Sequence, residues 1–589
     1  MTNDNNTPGG LRLFLEKRPY EVWIFRLIIA FIMVCCGEIL YLKQSFQSFS
    51  YFLSINLLLH IAAVIGVFAL LMLINKSWLD GSCFFAFSLV YCFVAVRDQR
   101  DLYFSIACCL ILGGVVLYAV RGREQPLEAL RLGNRVTYGT LAVLAGLFIA
   151  FVGGLTSILY LAHYASCYDF GIFAQMFTYM KETLLPYATC ERDQLLSHFA
   201  VHFSPIYYLL LPFFCLFPTP VTLLIGQAVV LASGVIPLFL LCRHFKLSNV
   251  TGVAISALYV LLPSTISGCF FYLHENKFLT PLLLWLFYWV EKNKLVPTIV
   301  FAFLVMIVKE DAPVYVAILA LYLLLSRTDI KKGALLMALS VLYFLFVTHY
   351  LANYGDGVMN YRYENYIYDE SDSLFTVIKA VILNPIYVFA QSFTEEKFRF
   401  VLQMLVPLAF LPLMIKRPSR IILLFPFLLI NLMSNYYYQH DIGYQYTYGP
   451  AAFFFYLLVL NYPLINAAFR ERALLIALCS SVILFAGLQS SRLSFVWQYR
   501  NHYQTYQAID TALDLIPKDA SVMATTFLVP ALFDHMLLYE METTTQETEY
   551  IAIDLRFPNS KIDPDDYFNG DYEVVEHIEG AVAIFRRAQ

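Results

Sequence analysis

The sequence predicts an all-α polytopic membrane protein with a small extramembrane α/β domain at its C-terminal end. Three observations carry that expectation. Of 589 residues, 60% are hydrophobic and 14% charged, with a mean hydropathy of +0.65, whereas soluble chains carry about a quarter charged residues. Apolar runs of roughly membrane-spanning length recur along the chain as far as the region of Leu488. Beyond about residue 495 the pattern changes to one helical spacing followed by short β-rich runs. The formal net charge of −4 and the lack of a basic tract give no reason to expect nucleic acid as a partner.

The runs fall near 20–42, 51–75, 78–96, 102–120, 137–161, 220–242, 249–267, 275–291, 295–308, 312–326, 334–352, 399–415, 420–435, 448–466 and 472–489, which predicts about 15 spans. The first twenty residues are polar and lack a cleavable-signal or acylation pattern, so the first span is expected to stay as an anchor. Basic residues gather on alternate connections, from Lys17 and Arg18 through Arg121 to Arg135, Arg243 and Lys246, to Arg470 and Arg472. The positive-inside rule makes that side cytoplasmic, in an inner or plasma membrane, with the N-terminus inside. The periplasmic or extracellular side then receives loops 162–205 and 353–398, the tyrosine-rich turn at 435–448 and the tail. Three regions follow: 1–136, with about four spans and a basic loop; 137–494, the main transmembrane core; and 495–589, the external α/β domain.

The stretch His163 to Pro205 is long for a connection, and long loops are functional or disordered. Its aromatic content argues against disorder. It carries Asp169 in the setting Tyr168-Asp169-Phe170-Gly171, and His198 and His202 four residues apart. Asp169 is also placed to cap a juxtamembrane helix. The two histidines would share a helix face and could bind a metal with Glu191 or Asp193, although Ser204-Pro205 biases the local chain away from helix. Most cysteines sit inside apolar runs as small hydrophobes. Cys167 and Cys190 instead share this loop, and a disulfide between them is expected.

Only 14 residues separate Lys294 from Lys309, about 21 Å of helix against a hydrocarbon layer of about 30 Å. Lys309, Glu310 and Asp311 therefore fall short of the far boundary, and should either line a polar cavity or form an interfacial turn with snorkelling side chains; the cavity is the expectation taken forward. The run His274-Glu275-Asn276-Lys277 opens a similarly short hairpin. In the tail, ASVMATTF, YIAIDL, YEVVEHI and AVAIFRR read as strands of a cover or docking domain without chemistry of its own. Phosphate-loop, dinucleotide, HExxH and CxxC patterns are absent, as are internal repeats.

YDFGIFAQ (Tyr168 to Gln175), the segment His202 to Phe245, KEDAPVYVAILALYLLL (Lys309 to Leu325) and IPKDASVMATTFLVP (Ile516 to Pro530) resemble the DUF2079 membrane proteins, from about residue 137 onward. That family is similar to the GT-C superfamily of membrane glycosyltransferases that use polyprenyl-phosphate sugars. The resemblance implies a GT-C-like core, a catalytic carboxylate on the first external loop, a polyprenyl-phosphate-linked sugar as lipid donor, and an acceptor of unspecified identity.

Sugar transfer from a lipid phosphate needs a carboxylate to take the acceptor's proton and positive charge to meet the leaving phosphate. Asp169 is the expected base, with Tyr168 beside it. Lys309 is the leading phosphate partner, followed by Lys277 and Arg362; His198 and His202 are further substrate contacts, and Glu310 or Asp311 would hold Lys309. No residue is assigned to a metal. The absence of an acidic pair beside Asp169 leaves use of a divalent ion open. The tyrosine runs at 360–370 and 435–448 fit sugar stacking or an interfacial aromatic belt. A transporter or lipid flippase and a non-catalytic envelope assembly protein are the other open classes.

Overall fold

The computed structural model describes residues 19–42, 49–121, 125–128, 130–357, 360–367, 374–557, 562–568 and 572–588. The N-terminal stretch, Arg123 and the end of the 360–370 tyrosine run lie outside them. Among the described residues, eight helices are long and apolar enough to cross a membrane, or up to nine if the bent pair Asn249–Leu261 and Pro263–Phe271 counts as one. About fifteen were expected from apolar run length.

The difference has a physical source. The expected runs at 399–415 and 420–435 carry Pro407, Pro412 and Pro426, with Pro418 between them, and break into a helix Glu395–Leu405 followed by short 3₁₀ and π turns. Tyr448–Asn461 is one helix of 14 residues, and every residue in it is buried. Such a segment is apolar because protein surrounds it on all sides, and a run of that kind cannot be told from a lipid-facing one by composition. Leu295–Met306 and Pro313–Ser326 are likewise short, with 12 and 14 residues.

Four long helices, Pro19–Leu42, Leu57–Ile74, Ser77–Gln99 and Leu102–Ala119, and the short Phe49–Ser54 form the N-terminal part. A buried ion pair, Arg26 to Asp80 at 2.9 Å, ties the first to the third. The 28-residue helix Asn134–Leu161 then packs against Pro220–Ser233, where a Cβ on Gly153 would lie 3.4 Å from Ala228. This helix delivers the loop that carries Asp169.

That loop is ordered throughout. A π turn spans Cys167–Gly171, a helix spans Ile172–Thr183, and β1 (Tyr187–Ala188) pairs antiparallel with β2 (Leu196–Ser197). The chain then returns through the 3₁₀ turns His198–Ala200 and Pro205–Leu209. The Ile206 N–H donates to the Ile307 carbonyl at 3.1 Å, which fastens the returning segment two residues from Lys309.

The tail forms a five-stranded sheet from β3 (Val522–Ala524), β4 (Leu538–Glu540), β5 (Tyr550–Asp554), β6 (Tyr572–Ile578) and β7 (Val582–Arg587), in the order β4-β3-β5-β7-β6. β3 is parallel to β4 and β5, whereas β7 is antiparallel to β5 and β6. Helix Tyr503–Leu513 buries Ile509 and Leu513 in a core with Val522, Leu528, Val529 and Leu538, and Cys167 of the Asp169 loop joins that core. Each such aliphatic side chain contributes about 1.5–3 kcal/mol when buried. The Cys167 N–H donates to the Thr526 carbonyl at 2.7 Å. A Cβ on Gly171 would sit 3.0 Å from Val529. The domain is thus seated directly on the turn that presents Asp169.

Candidate active site

A cavity of about 710 Å³ lies where the loop, the tail and the transmembrane core meet. Its wall takes Tyr168, Asp169, Glu191, His198 and His202 from the loop, His274, Glu275 and Lys309 from the core, and Glu540 and Thr543 from the tail. Arg362 and five tyrosines, Tyr361, Tyr436, Tyr438, Tyr444 and Tyr446, complete it.

The backbone departs from helical geometry at Asp169, with φ 63° and ψ −57°. Helix Ile172–Thr183 begins at Gly171 without a side-chain cap, so Asp169 does not cap it. Instead Asp169 Oδ2 stands 3.4 Å from His274 Nε2, with the carboxylate 31% exposed and the imidazole 2%. Burial pushes the Asp169 carboxyl up, but the imidazole opposes this, and the carboxyl lies below its ordinary 3.8. A second left-handed residue, Tyr272 at φ 56°, starts the turn that carries His274. Phe170 stacks on Tyr272 at 5.0 Å, and Phe271 on His274 at 5.3 Å. Strain of this sort persists only where packing over-determines it, and it gathers at functional sites.

The next residue, Glu275, holds Lys309 at 2.6 Å, with side chains 1% and 2% exposed. Its other oxygen accepts the Tyr207 hydroxyl at 2.6 Å, and its N–H donates to that hydroxyl at 3.1 Å. His202 Nδ1 meets Glu310 at 2.9 Å. His198 Nδ1 meets both Glu191 oxygens at 2.9 and 3.0 Å. Burial alone would lower His198, but the adjacent Glu191 carboxylate raises it above its ordinary 6.5. Carboxylates therefore alternate with basic side chains around the wall, and Asp169, Glu191, Glu275 and Glu310 each have a histidine or lysine partner.

Arg362 is 6% exposed. Its guanidinium carbon lies 5.4 Å from the Tyr436 ring centroid and 5.3 Å from that of Tyr446. Planar guanidinium groups suit aromatic flanks and still present an edge to phosphate. Its carbonyl accepts Asn435 N–H at 2.8 Å, which joins the two tyrosine-rich segments.

Of the residues singled out from sequence, Tyr168, Asp169, Glu191, Asp193, His198, His202, Lys309 and Arg362 share this cavity. Glu310 stands behind His202. Asp311 and Lys277 are outside the lining; Lys277 is fully buried, donating to the Tyr272 carbonyl with its ammonium 5.5 Å from the Tyr448 ring centroid. Asp193 is not a partner of the histidines: it accepts from Thr545 N–H at 2.9 Å and from the Thr544 hydroxyl. Among the described residues no group of three or more His, Cys, Asp or Glu is arranged to hold a metal.

Cys167 and Cys190 both reach the cavity wall but stand as free thiols, in place of the expected disulfide. A hydrogen bond to Cys190, then burial, raises the Cys167 thiol well above its ordinary value. The tail contributes Glu540 and Thr543 to the wall, with Thr543 Oγ1 3.2 Å from Glu540 Oε2. Nothing in the sequence links those residues to Asp169. His274 and Glu275 did carry a signal, a charged run inside an apolar hairpin, but not the identity of their partners.

The model of the DUF2079 family, described as predicted membrane proteins, matches residues 160–575. No curated protein matches the sequence. Among solved structures, ArnT from Cupriavidus metallidurans bound to undecaprenyl phosphate is similar at 12% identity and a TM-score of 0.44, over 77% of this chain and 98% of that one. ArnT from the same organism in the apo state gives 12% identity and a TM-score of 0.38, over 74% and 97%.

Proposed function

The chain belongs to the DUF2079 family, and from that premise we propose that it is a membrane glycosyltransferase that moves a sugar from a polyprenyl-phosphate donor to an acceptor hydroxyl. The observation that carries the reading is the shared cavity of Asp169, Lys309 and Arg362, walled by tyrosines. A partly exposed carboxylate steered by His274 and two buried cations in one polar chamber suit a reaction that releases a proton at one atom and gathers negative charge at another.

In this reading the acceptor oxygen attacks the anomeric carbon while the bond from that carbon to the phosphate oxygen breaks. The bonding electrons leave with the polyprenyl phosphate, and the hydroxyl proton passes to Asp169. His274 fixes the direction of the carboxylate. Arg362 and Lys309 meet the leaving phosphate, with Lys309 positioned by Glu275, and His202 sits beside them. The tyrosine rings offer flat faces to the sugar. The cavity and tail face the periplasm or exterior, and the basic connections face the cytoplasm.

The test is transfer from a panel of radiolabelled polyprenyl-phosphate sugars by protein reconstituted in vesicles, wild type against Asp169→Asn. Labelled product from the wild type and none from the variant supports the reading. Equal turnover by both removes Asp169 as base.

A further inference from the structure

Residues 380–393 read AVILNPIYVFAQSF and contain no charged side chain. They lie on two helices, Leu374–Leu383 and Pro385–Ser392, and the short stretch after them. The elbow between the helices is set by Asn384, whose side chain accepts Tyr387 N–H at 3.2 Å. One face of the elbow is bare: Ile382, Leu383, Ile386 and Phe389 are 71%, 70%, 80% and 64% exposed. The opposite face is packed, with Val388 and Ser392 buried.

A contiguous apolar patch of this kind needs a partner. We infer that the partner is the lipid bilayer, and that this elbow lies in the plane of the membrane as an anchor. With 10 and 8 residues, the two helices reach only about 15 and 12 Å, against the roughly 30 Å of a hydrocarbon layer, so neither can span it. Among the described residues eight helices are long and apolar enough to cross a membrane, Ile330–Tyr354 among them, so a bilayer is the apolar phase at hand for the bare face. Helices with one apolar and one packed or polar face settle at the interface.

The packed face of the elbow holds the cavity wall. The Tyr387 hydroxyl donates to the Asn365 carbonyl at 2.7 Å, and the rings of Tyr366 and Tyr387 meet at 5.9 Å. Tyr366 is fully buried in a cluster with Val388 and Met433. These contacts fix the 3₁₀ turn Asn360–Tyr366, which carries Arg362. The anchor therefore sets Arg362 at a fixed depth in the leaflet. On the donor assigned above, on which this last step rests, a lipid-borne phosphate arrives there with its chain already in the membrane.

The experiment places a tryptophan on the bare face, in Ile386→Trp and separately in Phe389→Trp, with the full-length protein in phosphatidylcholine vesicles. Quenching by lipids brominated on the acyl chain is compared with quenching by aqueous acrylamide, as differences from the wild type. Trp23 and Trp78, on the candidate spans and 54% and 65% exposed, serve as internal standards. The inference expects both introduced side chains to be quenched by the brominated chains at least as strongly as those standards. Quenching of both by acrylamide but not by brominated lipid overturns it. The readout needs no turnover, so a failure of the transfer assay leaves it standing, and its own failure leaves the transfer reading intact.

Discussion

Asp169 Oδ2 lies 3.4 Å from His274 Nε2, and each belongs to a turn whose backbone leaves the right-handed region, at Asp169 itself and at Tyr272. The stacked rings of Phe170 and Tyr272 lock the turns together. The carboxylate is thereby aimed at the cavity rather than at the first N–H groups of the following helix. A residue serving only as a cap would point the other way.

Asp169→Asn should remove transfer while leaving the fold in place. Asn tolerates positive φ as Asp does and keeps the side chain's shape. What is lost is the charge and the basicity. A positioned general base contributes about 10²- to 10⁴-fold, so turnover in the vesicle assay should fall by that order while the unfolding temperature of the purified variant stays close to wild type. A large fall in unfolding temperature together with activity would recast Asp169 as a structural residue.

How much of this was legible in the sequence differs from residue to residue. Asp169 stood out through the family resemblance, since from the residues alone a helix cap explained it equally well. Lys309 stood out by arithmetic, since its hairpin is too short to carry it across a bilayer. Four of the five tail strands correspond to runs visible as β-rich, whereas β4, with three residues, is too short to show a period. The convergence of Glu540 with Asp169 was invisible, because tertiary docking leaves no local pattern. Eight or nine long apolar helices stand among the described residues where about 15 spans were expected, and Tyr448–Asn461 shows why run length alone is a poor guide: burial by protein and burial by lipid select the same side chains.

Glu275→Gln tests the buried pair. Removing one partner from an ion pair with side chains 1% and 2% exposed takes from the buried Lys309 charge the carboxylate in direct contact with it. Breaking such a pair costs about 3–5 kcal/mol, whereas replacing both members by apolar groups is often near neutral. Glu275→Gln should therefore lower thermal stability strongly, and adding Lys309→Met should restore part of the loss. A double variant less stable than Glu275→Gln would contradict this account.

The His198–Glu191 pair predicts an alkaline weakness. Because Glu191 raises His198 in the folded protein above its ordinary 6.5, folding favours the protonated ring. The resulting stabilisation is fully present below about pH 6.5 and declines as pH rises through the higher folded value. Unfolding temperatures recorded from pH 6 to pH 9 should fall for wild type relative to Glu191→Gln, which lacks the carboxylate that raises His198. Parallel profiles for the two proteins would remove the pair as the cause.

Arg556 offers a test of whether the tail supports the chemistry or only shields it. Its guanidinium donates to the carbonyls of Ala162 and His163 at 2.8 Å each, and pairs with Asp554 at 2.6 Å. It is the charged clasp between the sheet and the start of the Asp169 loop, and hydrogen bonds to charged groups contribute about 1.5–3 kcal/mol each. Arg556→Ala should loosen that docking, and with it the Cys167 to Thr526 bond that precedes Asp169 by two residues. The expected outcome is faster limited proteolysis near the junction at residues 495–520 and a fall in turnover, with the transmembrane core still folded. Arg587→Ala is the control, since its exposed pair with Glu547 at the end of β7 should be worth about 1 kcal/mol or less. If Arg556→Ala undocks the tail by proteolysis while turnover is unchanged, the tail is only a cover and Glu540 has no part in the site.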